Sequence, residues 1–168
     1  MPAVTEVNGG PPEAPKTVAR ISLTAKQVIG LPLIAAVPLL ALFGVFGERA
    51  TTAVARSSTI EVTVTYPARF RYRQVQPLRV AVRNTSPRSI DTAFVSFDTA
   101  YIARFSSVRF DPAVRSAFVV PATDIAPGAT ALVSVELWGE HYGNHRGRVV
   151  VAAKGDSVAV PLSTFVFP

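Results

Sequence analysis

The chain has 168 residues and a mass of 17.9 kDa, with 49% hydrophobic residues, 17% charged residues and a mean hydropathy of +0.33. That length fits one domain with appendages and excludes a multidomain enzyme, while the apolar composition excludes a disordered chain and directs part of the surplus toward lipid. Seventeen basic residues against eleven acidic ones give a net charge of +6, and the absence of cysteine removes disulfides, thiolate metal sites and thiol nucleophiles.

Of the basic residues, 14 are Arg, spread singly along the chain rather than run together. Arg69, Phe70, Arg71, Tyr72 and Arg73 interleave guanidinium groups with rings, a pattern that nucleic-acid surfaces also use. Membrane headgroups or an acidic protein surface account for the excess better, so nucleic acid is not an expected partner.

Residues 1–26 open with Gly and Pro at a density that neither packs a core nor holds a helix, so they read as a flexible tail. Toward its end Val18, Ile21 and Leu23 lie between Lys16, Arg20 and Lys26, which suits an interfacial segment at a membrane surface.

Residues 27–47 carry no charge, and twelve of the 21 are Leu, Ile, Val or Phe. As a helix they reach about 30 Å, the thickness of a bilayer's hydrocarbon core, and this predicts one transmembrane helix. Pro32 falls in the first turn; Pro38 falls mid-span, where it kinks the helix and neighbouring helices compensate. Gly30, Ala35, Ala36, Pro38, Gly44 and Gly47 are the candidate helix-packing residues, since small side chains admit close approach. Ala53-Val54-Ala55 resembles a signal-peptide cleavage site, but the apolar stretch is too long for one, which favours an uncleaved anchor. Lys16, Arg20 and Lys26 before the span, against Arg49 and Arg56 after it, orient the tail to the cytoplasm and the remainder outside the cytoplasmic-type membrane, in the periplasm.

After a linker at 48–58 the period changes to two. In residues 59–66, Ile60, Val62, Val64 and Tyr66 alternate with Thr59, Glu61, Thr63 and Thr65, the pattern of a half-buried strand. Further strands are predicted at 78–83, 90–97, 101–110, 117–120, 130–138, 148–153 and 158–167, with turn chemistry at 84–87 and 124–128. Seven to nine short strands in about 110 residues give the fold class: an all-β immunoglobulin-like sandwich over 59–168, preceded by one transmembrane α-helix.

Candidates for chemistry are few. His141 and His145 have the i, i+4 spacing of a helical metal pair, but Gly143 and Asn144 interrupt it, so both read as histidines of a hairpin loop. No Gly-x-Ser-x-Gly elbow or phosphate-binding glycine loop is present, and Asp91, Asp98, Asp111, Asp124, Glu136 and Glu140 read as solvated charges and turn caps. The Asn84-Thr85-Ser86 acceptor pattern for glycosylation precedes Pro87 and reads as a turn. No catalytic set, cofactor or metal is expected. The candidate partner contacts are Arg69, Arg71, Arg73, Trp138, Tyr142, Phe165 and Phe167, of which the aromatics otherwise fill a core.

A tail, one span and a small sandwich ending in Phe165-Val166-Phe167-Pro168 resemble bacterial single-span, membrane-anchored immunoglobulin-like accessory proteins. The resemblance implies a noncatalytic structural subunit that stabilises a larger membrane complex, with integral membrane subunits and the bilayer as partners. Within that class the layout is similar to structural subunits of photosynthetic reaction-centre and light-harvesting assemblies; residues 27–47 hold no histidine, so scaffolding rather than pigment ligation is implied. The alternative is a membrane-anchored receptor or adhesin that binds a carbohydrate or protein through the sandwich.

Overall fold

Val, Ile and Thr stiffen at Cβ and pack well on a pleated surface, and their alternation with polar residues determines the architecture of residues 44–168. The computed structural model describes residues 25–44, 47–114 and 117–168. Nine strands form in chain order: β1 (Arg49–Arg56), β2 (Ile60–Arg71), β3 (Val75–Asn84), β4 (Ile90–Phe97), β5 (Phe105–Asp111), β6 (Val119–Ile125), β7 (Thr130–Gly139), β8 (Gly143–Ala153) and β9 (Asp156–Phe167). One layer is ordered β1-β2-β3-β7-β5 and the other β9-β8-β4-β6. They join where the last residues of β2, Arg69 to Arg71, run parallel to Phe165 to Phe167 of β9. This is an all-β sandwich of the immunoglobulin-like type.

The inward residues form a single core. Val62 and Val64 of β2, Val80 and Val82 of β3, and Val133 and Val135 of β7 share it with Val95 of β4, Val149 and Val151 of β8 and Val160 of β9, all essentially without solvent exposure. Each such side chain contributes about 1.5–3 kcal/mol by leaving water.

The turns follow from their residues. Between β6 and β7, Pro127 fixes φ and Gly128 takes φ +75°, so the Ala129 N–H reaches the Ala126 carbonyl at 3.0 Å, the geometry of a type II turn. Lys154 and Gly155, with φ 49° and 81°, make the two-residue connection of the β8–β9 hairpin, whose last pair is Ala153 and Asp156. The turn expected at 84–87 is built on Asn84, the buried last residue of β3. Its Nδ2 donates to the carbonyls of Arg88 at 2.8 Å and Ile125 at 2.9 Å, and its Oδ1 accepts from the Ser86 N–H and hydroxyl.

Several segments differ from their sequence reading. Residues 48–58 are not a linker: Arg49–Arg56 is a strand paired antiparallel along β2, where its Thr and Val residues suit the pleated surface of the sheet edge. The stretch 101–110 divides into a short helix, α2 (Thr99–Ile102), and β5, since Asp98 Oδ1 accepts from the Ala100 and Tyr101 N–H groups and starts a helical turn there. His145 is not a loop residue. It lies within β8, buried, with its ring against Phe105.

Residues 25–43 form a separate unit. Its helix, α1 (Ala25–Leu42), begins two residues before the uncharged run and ends five residues before that run does. Gly44 at φ +70° stops it after the Phe43 N–H bonds the Leu39 carbonyl. Eighteen residues rise about 27 Å. Among the described residues no helix is long and apolar enough to cross a membrane. Leu33, Ile34, Leu42 and Phe43 are each more than two-thirds exposed. The tail expected at 1–26 lies, but for its last two residues, outside the described residues.

Candidate docking surface

At one end of the sandwich β2, β7 and β9 finish while β1, β3 and β8 begin. Arg49 stands opposite Arg69, Arg69 opposite Phe165, Arg71 opposite Phe167, Val75 opposite Trp138, and Asn144 opposite Phe165. The β2–β3 turn is held by four backbone bonds: Tyr72 N–H to the Phe167 carbonyl, Arg73 N–H to the Gly139 carbonyl, Gln74 N–H to the Arg71 carbonyl, and Gly139 N–H to the Gln74 carbonyl. Gly139 is required at this crossing, since a Cβ there would lie 2.7 Å from the Phe70 ring. Arg73 takes φ 60° in this turn.

All seven residues singled out as partner contacts therefore meet at one end. The Arg73 guanidinium lies 5.3 Å from the centre of the Tyr72 ring, which packs at 4.6 Å on Tyr142, while Arg71 lies 5.8 Å from the centre of Phe167. Stacking of this kind holds guanidinium groups in place without neutralising them. Trp138 is 41% exposed, Tyr142 56% and Phe165 45%, so these rings are not core filling. Trp138 points outward from one layer and Phe165 from the other, which makes a rim around the end and not a single groove.

Sequence reading missed four contributors to this surface. Arg49 falls in the stretch that reads as a linker, and Val75 precedes the strand predicted at 78–83. Arg104 and Arg146 carry no local signal, because 41 residues of intervening chain hide their meeting. Together with Tyr142, Asn144 and His145 they line a hollow of about 340 Å³ that has no carboxylate in its wall. His145 Nε2 bonds the His141 carbonyl at 2.7 Å, which fixes the floor of the hollow.

Charge is distributed unevenly along the sandwich. This end carries Arg49, Arg69, Arg71, Arg73, Arg104 and Arg146 with Glu48 and Glu140, and Glu136, as far in from the end of β7 as Arg146 is from the start of β8, stands opposite Arg109. At the opposite end Arg56, Arg83, Arg88 and Lys154 are matched by Glu61, Asp91, Asp124 and Asp156, and Arg56 pairs with Glu61 at 2.6 Å. The chain also enters the domain at the basic end, where Glu48 Oε2 accepts from Gln76 Nε2 at 2.8 Å.

The other candidates are placed differently. Gly30, Ala35, Ala36 and Pro38 lie in α1, but Gly44 and Gly47 lie beyond its last residue and serve the turn that follows, with the Gly47 N–H on the Gly44 carbonyl. Among the described residues no group of three or more His, Asp or Glu is placed to hold a metal ion.

No protein-family model and no curated protein sequence matches the chain. Solved structures similar in fold include the CARDB domain of the PF1109 protein from Pyrococcus furiosus, described in complex with di-metal ions, at 12% identity and a TM-score of 0.44, covering 67% of this chain and 97% of that one. The sulfur carrier protein SoxY from Chlorobium limicola f thiosulfatophilum is similar at 16% identity and a TM-score of 0.38, covering 80% and 96%. The GAE domain of GGA2p from Saccharomyces cerevisiae is similar at 10% identity and a TM-score of 0.36, covering 71% and 98%. Likeness at this distance concerns the fold alone and assigns no activity to this chain.

Proposed function

We propose that the chain is a noncatalytic accessory subunit, held at a membrane by its uncharged segment, that stabilises a larger membrane protein complex. The observation that carries this reading is the unbalanced gathering of arginine and exposed aromatic residues at the end of the sandwich where the chain enters from that segment. A surface of this kind recognises a charged, extended partner and offers no acid–base set for a reaction. The run at 27–47 supplies the anchor, with the tail cytoplasmic and the sandwich on the far side. The exposed apolar side chains of α1 need lipid or neighbouring helices, and Ala35, Ala36 and Pro38 suit close helix contact.

A photosynthetic reaction-centre and light-harvesting assembly is the first complex to test, on the resemblance in layout alone, with this subunit as scaffold. A receptor or adhesin for carbohydrate gains less support, because Trp138 and Phe165 face outward from opposite layers and do not line one platform. Purification in mild detergent with identification of co-migrating chains tests the proposal. Loss of the gene is expected to leave the partner's chemistry present and to lower the yield or thermal stability of the intact complex. Migration alone at monomer size, with no other chain affected by the loss, overturns it.

A further inference from the structure

We infer that the arginine-rich end of the sandwich binds anionic phospholipid headgroups, so that the domain lies with this end against the bilayer surface. The inference rests on the membrane-held reading above and names the partner of the same surface. Three independent observations point to lipid over an acidic protein.

First, the excess charge of the described domain is confined to one end, as an extended anionic plane demands. Counted to the depth of Arg146, seven guanidinium groups stand there with three carboxylates, Glu48, Glu136 and Glu140, whereas at the far end four basic residues are matched by four acidic ones. An acidic protein surface requires only a local match and gives no reason for Arg49, Arg104 and Arg146, on separate elements, to share the same end.

Second, the arginines are interleaved with Tyr72, Tyr142, Trp138, Phe165 and Phe167, amphipathic and apolar rings at the depth of the charged groups. Rings with a polar edge settle at headgroup level while guanidinium groups pair bidentately with phosphate. The Arg104–Arg146 hollow, walled by Asn144 and Tyr142 and free of carboxylate, offers two cations and neutral donors to one phosphate group.

Third, the chain reaches this end directly from the uncharged run at 27–47. Glu48 is tied to Gln76 one residue before β1 begins, so the start of β1 and the basic rim share one level.

The single tryptophan of the chain, Trp138, sits half-exposed in this rim and serves as an internal probe. The full-length chain would be reconstituted in vesicles of phosphatidylcholine alone and of phosphatidylcholine with phosphatidylglycerol, with flotation reporting membrane attachment. The expected result is a blue-shifted Trp138 emission, quenched by lipids brominated near the headgroup, only where phosphatidylglycerol is present. Salt sufficient to shorten the Debye length to about 3 Å should reverse it. Replacing Arg69, Arg71 and Arg73 by Gln should weaken docking about fivefold per residue, roughly a hundredfold together. Arg83→Gln, at the balanced end, should change nothing, and thermal melts of each variant verify that it remains folded.

Identical Trp138 emission in both vesicles, with the protein floating in both, overturns the inference. Two further results also overturn it: an equal response to inorganic phosphate in phosphatidylcholine vesicles, which assigns the surface to a soluble anion, and a response only to an added acidic protein. Flotation with phosphatidylglycerol but not with phosphatidylcholine, accompanied by the Trp138 shift, supports headgroup binding while removing the anchor proposed above.

Discussion

The phenol of Tyr101 donates a hydrogen bond to Oγ1 of Thr164 at 2.9 Å, because the single hydroxyl proton of Thr164 is already committed to the Pro67 carbonyl at 2.8 Å. This relay fastens α2 to β9 and to β2 across the sandwich, just beneath the basic rim. Tyr101→Phe removes one link and leaves Thr164 bonded to Pro67. The expected cost is about 1 kcal/mol, read as a lower urea midpoint with unchanged slope.

The same residue makes stability depend on alkaline pH. Burial, assisted by the nearby Tyr66, pushes the Tyr101 phenol up to about 12, and the Thr164 hydrogen bond only partly opposes this. An unfolded tyrosine ionises near 10, so the unfolded state releases its proton first. The contribution is therefore complete below pH 10 and is lost as pH rises through about 12, on the order of 2–3 kcal/mol. Denaturation curves across this range should fall more steeply for the wild type than for Tyr101→Phe; parallel curves would contradict the assignment.

Gly147 explains why Tyr101 fits at all. A Cβ at position 147 would stand 2.3 Å from the Cβ of Tyr101, the root of a side chain that cannot swing aside. Gly147→Ala should destabilise the domain by about 3 kcal/mol, at the upper range for overpacking. A thermal melt within a degree or two of wild type would show that the β8 backbone yields more readily than its packing implies.

These residues also mark what a linear reading reaches. Period-two alternation revealed most strands, because inward Val and Ile and outward Thr and Arg report burial directly, as in Ile60 to Tyr66. It could not separate β1 from a linker, since Ala50 to Ala55 carry too little contrast between faces. Gly147 and Tyr101 are 46 residues apart, and no local pattern signals that one must be small for the other. The aromatic and arginine residues of the docking surface were recognisable by type. Their assembly, and the addition of Arg104 and Arg146, depended on strand register.

Asn84 tests how much one buried amide determines. Its side chain satisfies two carbonyls and receives two donors from Ser86, while itself being out of contact with solvent. Asn84→Ala strands the Ile125 carbonyl and should cost about 2–4 kcal/mol. Asn84→Asp should be at least as harmful, since a carboxylate facing the Arg88 and Ile125 carbonyls has no donor to offer them. The glycosylation pattern at this residue is correspondingly expected to stay unmodified in a folded chain, as intact mass in a glycosylating host would verify.

The far end of the sandwich carries an acid-sensitive clasp. Asp156, first residue of β9, has its carboxyl held down at about 2 by the neighbouring hydroxyls of Ser57, Ser58 and Thr59 and by the backbone N–H of Thr59. Oδ2 accepts from the Ser58 hydroxyl at 3.0 Å, from the Thr59 hydroxyl at 3.0 Å and from the Thr59 N–H at 3.3 Å, so one carboxylate pins the β1–β2 turn to the β8–β9 hairpin. Because the folded value lies below the ordinary one of 3.8, the contribution is present above about pH 4 and disappears as pH falls through 2. Asp156→Asn retains the shape but replaces the charged acceptor by a weaker neutral one. The variant should therefore be less stable than wild type at neutral pH, and the gap should close on acidification as the wild-type carboxyl takes up its proton. Because the group is open to water, added salt should narrow the gap as well. Urea midpoints for both proteins between pH 7 and 2 provide the measurement, and a gap independent of pH would mean that the clasp works by shape and not by charge.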